Sequence, residues 1–281
     1  MVRRELGSEG TGRPMIANAA TQIRKKCLEL CFEQRASHIG GALSVAEILA
    51  VLYGDPILSY DPSNPQWPGR DRFFYSKGHA CTALYATLEL CGFSQGLQEK
   101  FVRNGSYWTS HVNHHVPGVE LSTGSLGHAL PVAVGVSLAG LRKAQNWKVY
   151  CLLSDGELDE GSNWEALLFA PHHKLKNLCV IVDVNRIQSF GATKEVLDLE
   201  PLDKKFEAFG WAVERVDGHN QQALRETFLR FRSGEFSRPL VVIADTVKGK
   251  GVSFMENQLA WHYKSPSADQ FKLAMEELGR P

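Results

Sequence analysis

The sequence predicts an α/β fold: a parallel sheet with helices on both faces. Three observations predict it. Four short runs, Val149–Leu153, Cys179–Val184, Trp211–Val216 and Leu240–Asp245, are almost continuously apolar rather than alternating, the pattern of strands covered on both sides. Segments of helical length, Ser162–His173, Leu202–Phe209 and Gln221–Phe231, lie between them, and strands separated by helices pair in parallel through crossovers. The composition is that of an ordinary globular protein, 43% hydrophobic and 22% charged over 281 residues, so a sizeable core can be buried.

The remaining elements follow in chain order. Met1–Pro14 carries charges and glycines without an apolar stretch, which predicts a flexible lead over residues 1–14 and no secretory signal, leaving residues 15–281 as one domain. Ala17–Glu33 places Ile23, Cys27, Leu30 and Cys31 at helical spacing. His38-Ile39-Gly40-Gly41 breaks that helix, and Ser44 with Glu47 three residues on reads as a capping box opening a second one. Asp61–Gly69 holds three prolines and is a loop. Arg72–Tyr75 is a short strand and His79–Cys91 a helix. Gly105–Ser125 is long, irregular and rich in histidine, and a loop of that length inside a compact domain usually carries function. Leu126–Arg142 is an apolar helix of small residues, expected to be buried on most sides.

Charge and cysteine usage exclude several classes. Formal net charge is zero, which favours neither nucleic acid nor an anionic membrane as a partner. No apolar stretch reaches the length of a bilayer span. The six cysteines form no CxxC pair and no zinc spacing, which predicts buried, reduced thiols and a cytoplasmic protein.

The chemistry concentrates at strand ends. Ser154-Asp155-Gly156-Glu157 closes one apolar run and Asn185 closes the next. Between Gly156 and Asn185 lie 28 residues, one strand–helix–strand crossover, so the two ends are expected to be neighbours. A lone Asp-Gly is most often a turn and a lone Asn a cap. Paired at adjacent parallel strand ends, they offer hard oxygen ligands, with a glycine where a phosphate can approach the backbone. That arrangement suits a divalent cation and a diphosphate, and the helix after Gly161 is expected to aim its N-terminal dipole at the phosphates.

The Asp155-Gly156…Asn185 pattern resembles the thiamine diphosphate motif, and the surrounding segments resemble the diphosphate-binding half of transketolase. Ser37–Gly41, Ser76–Ala80, Pro117–Gly127, Lys248–Gly251 and Trp261-His262 match in order, covering about Ala17 to Pro266. The resemblance implies a thiamine diphosphate-binding fold and Mg²⁺ (or Ca²⁺ or Mn²⁺) on Asp155, Asn185 and the carbonyl of Ile187. It further implies cofactor contacts from His79, Gly124, Ser125, Leu126, Gly156, Glu157 and His262, and catalytic roles for His38, His79, His111 and His262. His38 and His262 become candidates for moving the proton of the donor's C3 hydroxyl, and His111 for holding the donor near its carbonyl. Several groups that titrate near neutrality suit ketol transfer. Glu160 and Glu165 resemble acidic residues at the family's subunit interface. His114, His115, His172 and His173 have no matched position and are read as ordinary.

Three positions depart from the family pattern. Ser154 replaces the first glycine of Gly-Asp-Gly, His128-Ala129 stands for a usual Gln-Gly, and Ser189-Phe190 replaces an Ile-Asp pair beside the thiazolium. The resemblance covers only the first half of a full transketolase. It implies an N-terminal subunit of a split enzyme that moves a two-carbon ketol unit from a sugar or sugar-phosphate donor to an aldehyde. A separate C-terminal subunit would supply the pyrimidine domain, in a heterotetramer. Two other readings remain open: loading of a two-carbon unit onto a carrier protein or lipoyl group, and a catalytically silent interaction subunit.

Overall fold

The structure, a computed structural model, describes residues 18–54 and 57–280. The expected flexible lead, and the Ala17 start of the first helix, lie outside the described residues.

Five parallel strands form the central sheet: β1 (Arg72–Tyr75), β2 (Val149–Ser154), β3 (Leu178–Val184), β6 (Ala212–Asp217) and β7 (Leu240–Asp245). Their order is β1-β2-β3-β7-β6, and every pairing is parallel. A two-stranded hairpin, β4 (Ile187–Gln188) with β5 (Gly191–Ala192), projects after β3. The helices are α1 (Ala19–Gln34), α2 (Ile39–Leu43), α3 (Ala46–Gly54), α4 (Cys81–Leu90), α5 (Leu97–Lys100), α6 (Ala129–Arg142), α7 (Gly161–His172), α8 (Thr193–Val196), α9 (Leu202–Ala208), α10 (Gln221–Ser233) and α11 (Ala268–Glu277).

The apolar runs are continuous because the sheet is covered on both sides. Along β2, Tyr150 and Leu152 enter the core built with α1, α3, α4 and α10, while Val149, Cys151 and Leu153 enter the core built with α6, α7 and α9. Along β3, Cys179 and Ile181 face the first core, and Val180 and Val182 the second. Period-two alternation persists in space, but both faces demand apolar residues. The edge strand β6 is only partly buried and tolerates Glu214 and Arg215. All six cysteines are free and buried.

Polar residues enter these strands at their carboxyl ends. Register places Ser154 beside Asp183, and Asp183 beside Ala244. The loops that follow β1, β2, β3 and β7 therefore open on one edge of the sheet, where ligands bind in such folds.

Three local expectations are corrected and one is refined. Ser44 opens no capping box: its backbone is helical and its single hydroxyl hydrogen is shared between the Asp183 carboxylate at 2.8 Å and the Gly41 carbonyl at 3.0 Å. The first helix does end before His38-Ile39-Gly40-Gly41, at Gln34, but Gly40 and Gly41 are themselves helical, in α2, with His38 in the left-handed region at φ 69° as its N-cap. The helix expected from His79 begins as a 3₁₀ turn over Gly78–Ala80 before α4. Helix α6 starts at Ala129 and is buried on one face only; Val132 is 40% exposed, and space beyond Gly135 is open. Val, Ala and Gly on both faces left no polar stripe by which the sequence could mark the outer side.

Candidate active site

The strand-end loops enclose a cavity of about 230 Å³. The β2 end gives Ser154, Asp155 and Gly156; the β3 end and its hairpin give Asn185, Ile187, Gln188 and Ser189. The loop after β1 gives Lys77 and His79, the α2 start His38 and Gly41, the long loop His111, Gly124 and Leu126, and the segment after β7 Lys248 and His262.

Asp155 and Asn185 meet here, as their spacing predicted. Asp155 is buried, accepting the backbone N–H groups of Gly156 at 2.8 Å and Arg186 at 2.6 Å. Burial, with the neighbouring Asp183 carboxylate, pushes its pKa up to about 6. The Asn185 carboxamide donates to Asp183 at 3.0 Å and accepts from the Ile187 N–H at 3.2 Å. The Ile187 carbonyl accepts from the Lys248 ammonium at 2.9 Å.

A second cluster faces this oxygen set. His38 lies 5.0 Å from His262, 5.4 Å from His79 and 5.8 Å from His111, centroid to centroid. Burial lowers His38 to about 4, helped by His111 and Lys248, and lowers His262 to about 3, helped by Lys248, His38 and Lys77. Burial also drives His79 well down, with Lys77 beside it. His111 sits at the exposed rim, and the inward part of its ring is desolvated enough to lower its value. All four imidazoles are neutral at pH 7. Ser37 engages Nδ1 of His38 at 2.9 Å, leaving Nε2 free, while Nδ1 of His262 faces the Lys248 ammonium at 3.2 Å. An ammonium only donates, so the neutral His262 carries its proton on Nε2.

Two buried lysines complete the electrostatics. Lys248 is lowered to about 8 by burial and by Lys77. Lys77 forms a fully buried ion pair with Asp183 and donates to the Gly41 carbonyl at 2.8 Å. Burial raises Asp183, but Lys77 and the hydroxyls of Thr246 and Ser44 outweigh it and hold the carboxyl below its usual range.

Glycines let the loops close. A Cβ on Gly78 would lie 2.3 Å from the Thr123 carbonyl carbon and oxygen, and Gly124, at φ 145°, turns beneath the His111 ring.

Some expected residues stand elsewhere. Glu157 is buried but does not line the cavity; its carboxylate takes the Ser76 hydroxyl and the Gly127 N–H, so it fastens the loops behind the site. Ser125 is exposed and also off the cavity wall. A 3₁₀ turn over Gly156–Asp159 separates Asp155 from the start of α7, where the Ser162 hydroxyl donates to the Gly127 carbonyl. Glu160 and Glu165 are exposed outside it. His115 stacks on Tyr107 and lies tilted against His114, away from the cavity. Phe190 is 81% exposed at the hairpin tip. Asp183 was not singled out from sequence, since its partners lie up to 139 residues away.

The sequence model of the family described as "Transketolase, thiamine diphosphate binding domain" matches residues 16–281. The chain belongs to the transketolase family. As a thiamine diphosphate-dependent transketolase, it resembles proteins named as single transketolase subunits over nearly their whole length. It is 41% identical over 258 residues to an apulose-4-phosphate transketolase subunit of Phocaeicola vulgatus, covering 91% of this chain and 90% of that one. It is 39% identical to a 6-deoxy-6-sulfo-D-fructose transketolase subunit of Clostridium sp., covering 94% and 96%. Campylobacter jejuni transketolase superposes with a TM-score of 0.86 at 32% identity, over 93% of this transketolase chain but 42% of that one.

The donor set fits a cation shared with a diphosphate. One carboxylate and two carbonyl-type oxygens are hard ligands for Mg²⁺, which keeps phosphate oxygens and water in its shell. Among the described residues no cluster of three or more His, Cys, Asp or Glu forms a self-sufficient metal cage. The Ile187 carbonyl already attracts a cation, the Lys248 ammonium.

Proposed function

We propose that this chain is the diphosphate-binding subunit of a two-chain transketolase. It transfers a two-carbon ketol unit from a sugar or sugar-phosphate ketose to an aldehyde. A second polypeptide carrying the pyrimidine-binding domain completes the site, in a heterotetramer of two copies of each chain. The supporting observation is one cavity in which the Asp155, Asn185 and Ile187 oxygens face four neutral histidines. The subunit designation of the full-length relatives supports the partner.

Asp155, the Asn185 carboxamide oxygen and the Ile187 carbonyl hold Mg²⁺, and the Gly156 backbone and His79 border the diphosphate. Thiamine diphosphate, when bound, supplies the nucleophilic carbon and the electron sink for cleaving the donor's C2–C3 bond. The histidines divide the proton work. His262, with Nδ1 occupied by Lys248, presents an Nε2–H that donates to the substrate oxygen on which charge develops. His38, with Nε2 free, takes the C3 hydroxyl proton and returns it. Values depressed below neutrality keep the pair in its base form at pH 7. His111 at the rim steadies the donor near its carbonyl. The low-dielectric walls that depress the imidazoles also strengthen each of these hydrogen bonds.

Purified alone with thiamine diphosphate, Mg²⁺, a ketose phosphate and an aldehyde acceptor, the chain should give no ketol transfer. Adding a pyrimidine-domain polypeptide should restore it. Robust turnover by the isolated chain would sink the two-chain reading.

A further inference from the structure

We propose that Asp183 is a positioning residue that sets which end of the Asn185 carboxamide faces the cavity. This rests on the reading of Asn185 as a metal ligand. An amide side chain is nearly symmetric in shape, so packing alone does not choose between its oxygen and its nitrogen; hydrogen-bond partners do. Asp183 lies two residues earlier, fully buried at the end of β3. Its carboxylate takes four donors from four parts of the chain: the Lys77 ammonium, the Ser44 hydroxyl at 2.8 Å, the Thr246 hydroxyl, and the Asn185 amide nitrogen at 3.0 Å.

Three of these donors have a purpose of their own with respect to Asp183. Lys77 keeps the carboxyl ionised, and the two hydroxyls fix its plane. An ionised carboxylate can only accept, so the amide end turned to it must be the NH₂. The oxygen is thereby directed the other way, where it meets the Ile187 N–H at 3.2 Å and keeps a second lone pair for a cation. The same β3 end thus carries a ligand and, two residues before it, the group that orients it. The network ties that orientation to α2, to the loop after β1 and to the end of β7, all of which border the cavity.

Orientation matters more to Mg²⁺, which demands near-ideal octahedral geometry, than to Ca²⁺, which accepts irregular shells. The test titrates MgCl₂ and CaCl₂ separately into the chain assembled with its pyrimidine-domain partner and thiamine diphosphate, followed by calorimetry. Asp183→Asn can donate as well as accept, which removes the stronger constraint on the Asn185 amide and leaves only the 3.2 Å contact with the Ile187 N–H to hold its orientation. Loss of an orienting partner typically weakens a metal site by about 10–100-fold. The expected result is at least about a tenfold loss of Mg²⁺ affinity with less than about a threefold loss for Ca²⁺. Ser44→Ala and Thr246→Val, which loosen the plane of the carboxylate but leave it an acceptor, should change the Mg²⁺-to-Ca²⁺ ratio less than Asp183→Asn does. If Asp183→Asn alone does not fold because Lys77 is left unpaired, Lys77→Met with Asp183→Asn removes both charges. Any loss of diphosphate attraction from Lys77 then affects both metals alike, and the ratio should still collapse. An unchanged ratio in the folded variant overturns the role of Asp183. Absence of any metal-dependent cofactor binding by the parent assembly instead overturns the reading of Asn185 as a ligand, and the Asp183 inference with it.

Discussion

Gly78→Ala is a small change with a large expected effect. The new methyl would sit 2.3 Å from both the carbonyl carbon and oxygen of Thr123 and 2.5 Å from the Gly124 nitrogen. Ordinary contact needs roughly 3.4 Å or more, so the two segments must separate by about 1 Å. The obstacle is backbone and cannot rotate away. The Thr123–Gly124 segment is also pinned: the Thr123 N–H bonds the Val112 carbonyl at 3.1 Å, and its hydroxyl bonds the Tyr75 carbonyl at 2.7 Å. Overpacking of this kind costs about 1–3 kcal/mol, and a rigid backbone obstacle places this site near the upper end. For a chain of this size that corresponds to a Tm lower by about 5–10 °C. Because Gly124 lines the cavity beside His111, cofactor affinity should fall with stability. Differential scanning calorimetry and titration with thiamine diphosphate and Mg²⁺ check both. A variant with parental Tm and parental affinity would refute the argument that the loop must close on a bare glycine.

Three further outcomes follow from the site. Asp155→Ala should abolish metal-dependent cofactor binding while leaving the cofactor-free chain as stable as the parent or more so, because the parent buries a carboxyl raised to about 6 without a cation; paired melts and titrations read this. Acid should destabilise the cofactor-free chain as pH falls from about 6.5 to about 4. The unfolded histidines bind protons there while His38 and His262, lowered to about 4 and 3, do not; the raised Asp155 has the opposite sign but is one group against several, and a pH series of melts with rising stability on acidification would contradict this. His262→Ala, in the assembled enzyme, should lower kcat by about 10²–10⁴-fold with Mg²⁺-dependent cofactor binding within a few-fold of the parent, as measured by steady-state kinetics and calorimetry.

Much of the fold was legible because the sheet is buried on both faces, so β2, β3 and β7 appear in the sequence as unbroken apolar runs. Asp155 and Asn185 were legible because a single crossover separates adjacent strand ends. What escaped was set by long-range partners. Ser44 looks locally like a cap, yet its hydroxyl is claimed by Asp183, 139 residues away. The capping box that does form, Ser267 with Gln270, opens α11, a helix not anticipated from the sequence. Glu157 sits inside the motif beside Gly156, but its side chain turns back to Ser76 and Gly127, and sequence adjacency carries no information about that direction. Lys248 lies just past the end of β7, and its grip on the Ile187 carbonyl and on His262 depends on three loops meeting.

The central claim is that this chain holds one end of a metal-bound cofactor whose other end is held by a different protein. Calorimetric titration of thiamine diphosphate into the chain alone, a pyrimidine-domain partner alone, and their mixture, each with Mg²⁺ and with EDTA, tests it most directly. The account predicts weak binding by either protein alone and tight binding by the mixture, lost in EDTA. Tight, metal-independent binding by the isolated chain, or none by the mixture, would contradict it.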